Sequence, residues 1–334
     1  MNPKTMRLVE QMLEGDNVSL SRVISLVENE NSQLPEIMKL IAPHLGKAQC
    51  IGITGPPGVG KSTLVDKLTV LMRKEGLKVG IVAVDPSSPF TGGAVLGDRI
   101  RMQQHYLDDG VFIRSMATRG SMGGLPQTAS FVTKLLDAAG KDIILVETVG
   151  VGQGEEDIME KTDTVLVILC PEAGDTIQTM KAGLFEIADI FVVNKADHPG
   201  ADNFARDIQA MLQLREPSWW NIPVVATEAV NEVGIKELYQ QIQLHRRALC
   251  QDGRLSQHRQ LQRKQDFIKI LERKLTYEFL KLIEQDGQLN SYIEKVEKGE
   301  LDPYSAVDEI IKSGKLLTGR LAKNHRMNLN GQKL

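Results

Sequence analysis

Between about Lys47 and Arg247 the chain alternates short, unbroken apolar runs with longer amphipathic stretches. The runs are Cys50–Thr54, Val79–Asp85, Val111–Arg114, Ile143–Glu147, Val165–Leu169, Ile190–Val193 and Ile222–Val225. Most are rich in β-branched residues and lack polar residues at alternate positions. That is the pattern of strands covered on both faces. Stretches with helical spacing, such as Thr128–Ala139 and Phe204–Leu212, follow several of them. The alternation predicts an α/β fold with a mostly parallel sheet flanked by helices. In such sheets a ligand lies beyond the carboxyl ends of the strands, so chemistry is expected just after each run.

Helical periodicity takes over on both sides of this region. Met6, Val9 and Leu13 share one face, and Ser19 is expected to cap a helix carrying Leu20, Val23, Ile24 and Val27. A third helix carries Leu34, Ile37, Met38 and Ile41, with Pro35 in its first turn. This arm reads as a small bundle packed on the central region, with a partner-binding surface as the alternative. After Leu249 the strands stop. Gln257–Ile283 reads as one long helix with Leu261, Ile268, Leu271, Leu275, Phe279 and Leu282 near helical spacing, and a further helical piece covers about Ser291–Ile311. Lys323–Leu334 is polar. The expected organisation is an arm over 1–46, a central domain over 47–248 and a helical extension over 249–334. An apolar stripe outside the central domain is a liability in a monomer, so the extension is expected to join two copies.

Composition narrows the class. Of 334 residues 42% are hydrophobic and 25% charged, ordinary values for a globular protein. A net charge of -3 gives no electrostatic reason to pair with nucleic acid or an anionic membrane. No apolar run reaches the roughly 20 residues of a membrane helix. Cys50, Cys170 and Cys250 are far apart and the six histidines are dispersed, which argues against a metal store and suits the cytoplasm.

The chemistry falls where the pattern places it. Gly55-Pro56-Pro57-Gly58-Val59-Gly60-Lys61-Ser62, followed by Thr63, links the first strand to a helix and has the form of a P-loop. Its glycines let backbone N–H groups converge on a phosphate chain, and the helix start adds partial positive charge. Lys61 is expected to reach the outer phosphates and Ser62 to hold Mg²⁺. The fold class sharpens accordingly to a P-loop NTPase core. Asn194-Lys195-Ala196-Asp197 follows a later strand. The Asp197 carboxylate accepts from N1–H and the 2-amino group of guanine, whereas adenine offers neither donor there. Lys195 can lie over the purine, Asn194 can tie this loop to the P-loop, and Ala226, Thr227 and Glu228 are a candidate wall of the base pocket.

Asp85, Asp98 and Glu147 are the candidate acidic ligands of Mg²⁺, with Glu147 the strand-end acid; Asp98 reads equally as a helix cap or a partner of Arg99. Gly150 can sense a γ-phosphate through its N–H, which makes Glu147–Glu155 a nucleotide-dependent switch. Ras-type switches carry a water-orienting glutamine directly after that glycine. Here Val151 stands there and Gln153 lies two residues on. Slow basal hydrolysis follows, completed by a partner or another loop; the alternative is that Gln153 or a carboxylate substitutes. Trp219-Trp220 reads either as a partner contact or as an aromatic anchor before a strand.

The segments GPPGVGKST (Gly55–Thr63), VDPSSPFTGGAVLGDRIRM (Val84–Met102), ETVGVGQGE (Glu147–Glu155) and NKAD (Asn194–Asp197) together resemble the MeaB/ArgK group of P-loop GTPases. These are G-protein chaperones of adenosylcobalamin-dependent methylmalonyl-CoA mutase. The resemblance runs over almost the whole chain. It implies GTP and GDP as ligands, a homodimer built on the C-terminal helices, and a GTP-driven role in loading or protecting the mutase's cobalamin. It also places Asp85, Asp98 and Glu147 at the switch I and Walker B acids, and Glu172–Lys181 at a third switch, with Lys181 tied to signalling with the mutase. A metal-insertion GTPase, or a P-loop kinase or ATPase linked to basic amino-acid transport, are the competing readings. The first would need a Cys/His cluster, and the NKAD segment argues against the second.

Overall fold

Seven apolar runs become seven strands in the computed structural model, which describes residues 2–29, 32–85, 102–117, 125–148, 156–171, 182–216, 218–285 and 287–312. They are β1 (Gln49–Thr54), β2 (Val79–Asp85), β3 (Val111–Ala117), β4 (Ile143–Glu147), β5 (Thr164–Leu169), β6 (Ile190–Asn194) and β7 (Val224–Thr227). All pairings are parallel, in the order β3-β2-β4-β1-β5-β6-β7. Every residue of β4, β5 and β6 is buried, which is why these runs show no alternation.

β1 lies between β4 and β5, with Ile53 opposite both Glu147 and Leu166. The chain leaves β1 for β2 and β3 on one side, returns to insert β4 beside β1, and continues to β5, β6 and β7 on the other. The crevice at such a reversal opens above the carboxyl end of the central strand, here at the P-loop.

The helices are α1 (Pro3–Leu13), α2 (Asn17–Glu28), α3 (Leu34–Ile41), α4 (Lys61–Lys74), α5 (Gln127–Ala138), α6 (Glu156–Met159), α7 (Ala182–Ile187), α8 (Ala201–Gln213), α9 (Ile235–Cys250), α10 (Arg254–Gln285), α11 (Gly287–Glu297) and α12 (Pro303–Lys312). Leu64, Leu68 and Met72 recur every four residues along α4 and pack with Ile51, Ile53, Ile81, Leu145 and Ile168 in the core. The chain divides into two compact units, Met1–Gln262 and Arg263–Leu334. In the second, Ala306 and Ile310 are buried. No helix among the described residues is long and apolar enough to cross a membrane.

Several caps and boundaries differ from those the sequence predicts. α2 is capped by Asp16, whose carboxylate accepts the N–H of Ser19 at 2.8 Å, while Ser19 itself is buried inside the helix. The aspartate three residues earlier competes better for the free amides. α1 buries Thr5, Val9 and Met12 and leaves Met6 exposed, a rotation of its face by about one residue. β7 starts at Val224 rather than Ile222, because Pro223 has no N–H to give a ladder; its carbonyl accepts from Phe191 at 2.9 Å. β3 runs on past Arg114 to Ala117. The Ser291–Ile311 helix is two helices: Gly299 turns the chain at φ 71°, and Asp302 caps the next helix by accepting the Ser305 N–H at 3.0 Å ahead of Pro303.

The arm is joined to the sheet by polar contacts. Arg114 of β3 pairs with Glu28 of α2. Buried Lys141, at the turn into β4, donates to Asn17 Oδ1 at 3.0 Å, and burial pushes its ammonium down to about 8.

The amino ends of β1 and β5 are closed by a second junction. Arg259, in the second turn of α10, donates from Nε and Nη2 to both Asp163 oxygens at 2.9 and 2.7 Å. It also donates to the carbonyls of Gly46 and Ala48 at 2.6 Å. Asp163 accepts the Cys50 N–H at 2.9 Å, and the Asp137 carboxylate accepts the N–H groups of Lys47 and Ala48 at 3.1 and 2.8 Å.

Candidate functional site

The turn from β1 into α4 needs its glycines for two distinct reasons. Gly55 has φ 141°, and a side chain there would run into the carbonyl of Ile168. Gly60 has φ 93°, and a side chain there would strike the Asn194 amide. The loop is thus wedged between β5 and the loop after β6, with no room to rebuild. Lys61, the first residue of α4, folds back over the loop and donates to the carbonyls of Gly55 and Pro56 at 2.8 and 3.0 Å. It is nearly buried, so its ammonium is held against the loop whose amides would face phosphate.

Asn194 gathers three loops. Its Nδ2 donates to Val59 O of the P-loop at 2.7 Å. Its Oδ1 accepts from Thr227 Oγ1 and from the Ala229 N–H, both at 3.1 Å. Lys195 follows with φ 57°, a left-handed turn, and both it and Asp197 line the cleft. Asp197 is open to solvent, 52% exposed at the side chain, with His198 Nε2 at 3.9 Å.

At the opposite end Ser62 Oγ donates to Glu147 Oε1 at 2.8 Å. Glu147 is buried and closes β4, and the next residue, Thr148, donates to Thr54 Oγ1 at 2.9 Å. A hydroxyl and a carboxylate meeting at the start of a P-loop helix form a hard-oxygen pair of the type Mg²⁺ takes.

These groups share one cleft of about 680 Å³. Pro57, Gly58, Gly60, Lys61, Ser62 and Thr63 form its floor, and Glu147 and Thr148 one end. Asn194, Lys195, Asp197 and His198 form the other end. Of the candidate wall after β7, Glu228 lines the cleft, followed by Ala229, Val230 and Asn231. Thr227 is fully buried beneath Asn194, and Ala226 is exposed on β7. β2 ends at Asp85, whose side chain is outside the described residues, as are Asp98, Gly150, Gln153 and Lys181.

The family model for methylmalonyl Co-A mutase-associated GTPase MeaB matches residues 20–282. The chain belongs to the MeaB family. It is a P-loop GTPase. A protein of Pyrococcus abyssi named as a GTPase is 50% identical over 309 residues, 91% of this chain and 95% of that one. GTPase ArgK of Escherichia coli is 36% identical over 263 residues, 76% of this chain and 80% of its own. The mouse protein named methylmalonic aciduria type A homolog, mitochondrial, is 30% identical over 328 residues, 92% of this chain and 79% of its own. Among solved structures, one described as a LAO/AO transport system kinase has a TM-score of 0.68 at 27% identity, covering 93% of this chain and 98% of that one.

Several residues of this MeaB-family cleft escape sequence reasoning. The Thr148–Thr54 bond joins the ends of β4 and β1, and its only signal is a hydroxyl at the last position of β1 and another just after β4. Lys67 of α4 reaches Glu232 at 3.1 Å, tying the P-loop helix to the loop that carries Val230 and Asn231. Nothing local marks that pair.

Proposed function

We propose that this GTPase is the nucleotide-driven switch of an adenosylcobalamin-dependent methylmalonyl-CoA mutase, governing the loading or protection of the mutase's cofactor. The observation that carries the guanine part is the Asn194 junction, which ties the loop carrying Asp197 to the P-loop along one cleft. The MeaB family's description carries the mutase part.

In this reading the P-loop amides and Lys61 hold the triphosphate, and Lys61 stabilises the charge that builds on the transferred phosphoryl group. Asp197 reads N1–H and the 2-amino group of guanine while Lys195 and Val230 flank the base. Ser62 and Glu147 hold Mg²⁺, which would neutralise charge on the phosphate oxygens. Asp85 and Asp98 remain its further candidate ligands. Gly150 and Gln153 belong to the switch that answers to the γ-phosphate, and Lys181 to the coupling with the mutase.

The active form is a homodimer. Leu261, Ile268, Leu271 and Leu275 are 54, 40, 44 and 59% exposed on α10, a row of large apolar side chains at helical spacing. The test is GTP hydrolysis measured with and without an adenosylcobalamin-dependent mutase. A slow basal rate raised by the mutase is expected, with Lys181→Ala losing more of the stimulated than of the basal rate. An unchanged rate, with no complex by co-purification, would sink the mutase reading and leave the GTPase intact.

A further inference from the structure

A pair of titratable groups sits at the amino ends of β5 and β6, outside the nucleotide cleft. Asp189, just before β6, is locked to β5 twice: its N–H donates to Val165 O at 3.0 Å, and its Oδ2 accepts the Val165 N–H at 2.8 Å. Its other oxygen, Oδ1, faces His245 Nε2 at 3.4 Å. His245 of α9 is 1% exposed, and its Nδ1 meets Oγ1 of Thr164, the first residue of β5, at 3.0 Å. The Nε2 atom makes no hydrogen bond among the described residues.

Aromatic rings hold the imidazole in place. The centroids of Trp219 and Trp220 lie 5.6 and 4.9 Å from that of His245. The Trp220 indole N–H donates to Asp189 O at 2.8 Å, which settles the anchor role the sequence left open. Asp189 and both indoles line a concavity of about 620 Å³. The Asp189 side chain is 28% exposed, so the carboxyl has a path to water while the imidazole is sealed. The charged groups around the pair are Glu186, Arg215 and Glu216 of the concavity, Arg254 at 5.2 Å from the Trp219 ring, and Asp163 and His258 near the imidazole. Arg215 is engaged with Phe185 O at 2.8 Å and Asp163 with Arg259, and none of these groups bonds to Nε2.

Two bare lone pairs facing each other in so dry a place would be costly, so a proton belongs between Oδ1 and Nε2. It has two homes. If the carboxyl carries it, Nε2 accepts, and the ring N–H sits on Nδ1 and donates to Thr164 Oγ1. If Nε2 carries it, the carboxylate accepts, Nδ1 is bare, and the Thr164 hydroxyl donates to the ring. The two forms differ by one proton. Burial pushes the Asp189 carboxyl up to about 7 and the His245 imidazole down to about 4. The exchange of forms therefore falls near neutral pH, with no imidazolium on the way.

We propose that Asp189, His245 and Thr164 form a proton switch at the amino ends of β5 and β6. As pH rises through neutrality the pair releases one proton to solvent through the concavity. The ring N–H is then found on Nε2 instead of Nδ1, and the Thr164 hydroxyl turns from acceptor to donor. The negative charge appears on Asp189, whose carbonyl holds the Trp220 indole. The inference rests on neither the nucleotide site nor the mutase reading.

Ring ¹⁵N shifts of His245, assigned by through-bond correlation to its backbone, read the switch directly. They are followed from about pH 5.5 to 8.5, the span around the ordinary histidine range. Nδ1 is expected to change from N–H-bearing to bare and Nε2 the reverse, with a midpoint near 7. The chain has two tryptophans, both packed on His245, so intrinsic emission should step at the same midpoint. In Asp189→Asn the carboxamide takes no proton in this span. His245 should then keep one tautomer and the emission step should vanish, while GTP hydrolysis matches wild type. A single tautomer throughout in the wild type would overturn the proposal, as would an imidazolium protonated on both nitrogens at about pH 6. An emission step that persists in Asp189→Asn would overturn it too. The wild-type spectra need no variant, so they decide the matter even if Asp189→Asn fails to fold.

Discussion

The two ends of one sheet treat their polar groups in opposite ways. At the carboxyl end Lys61, Ser62, Glu147 and Asn194 are anchored by one or a few contacts while lining a common space, and Asp197 stands open beside them. At the amino ends of β1 and β5, Asp163 and Arg259 satisfy each other and the backbone around them, with side chains 5 and 19% exposed. Charge that faces shared space is available to a ligand, whereas charge saturated by its own chain serves the fold. Removing a group at the first end should cost activity, and at the second, stability.

The largest break in that contrast comes from Asp163→Ala. It leaves the Arg259 guanidinium half-buried without its counter-charge and the Cys50 N–H without its acceptor. Urea unfolding should show a loss of about 3–5 kcal/mol, the range for removing one partner of a buried pair. A variant as stable as wild type would show that Asp163 does not carry the junction.

Lys61→Ala should do the converse. Hydrolysis is expected to fall by about 10²–10³-fold, as for loss of a group that stabilises transition-state charge, with the urea midpoint near that of wild type. A large drop in stability instead would assign Lys61, with its two bonds to the P-loop carbonyls, to the fold.

Asp197→Asn tests the far end of the cleft. An asparagine amide accepts from N1–H and donates to the 2-oxygen of xanthine, but mismatches guanine. GTP affinity should fall by about 1.5–3 kcal/mol, the scale of a hydrogen bond to a charged group, and XTP affinity should rise. Side-by-side binding of both nucleotides decides it; wild-type GTP affinity in the variant would remove Asp197 from base reading.

The smallest effect sharpens the boundary between the two classes. Lys67 and Glu232 are 23 and 57% exposed, so their pair should contribute only about 0.2–1 kcal/mol. Lys67→Ala should move GTP affinity by no more than a few fold, and added salt should erase the difference. A tenfold loss that persists at high salt would make this pair part of the site.

The carboxyl end was far more legible in the sequence than the amino end, and the reason is distance along the chain. β4, β5 and β6 announce themselves because both faces are buried, and the P-loop and NKAD segments carry their chemistry in consecutive residues. Arg259, by contrast, finds Asp163 and Ala48 at separations of 96 and 211 positions. No local periodicity encodes that match, nor the one between Lys141 and Asn17, 124 positions apart. Capping failed on a finer scale, since Ser19 and Asp16 are both good caps and only the geometry of the preceding turn chooses between them.

The place of β1 in the sheet also sets a timetable for synthesis. β1 and the P-loop leave the ribosome early, yet both neighbours of β1 are made much later, starting at Ile143 and Thr164, and the amide that clamps the loop waits for Asn194. At about 5–20 residues per second, the gap between Lys61 and Asn194 is on the order of ten seconds. During that interval the nascent chain carries the phosphate loop without the strand pairings or the side chain that shape it. A phosphate loop held by the Asn194 amide is therefore complete only after the sixth strand has been laid down.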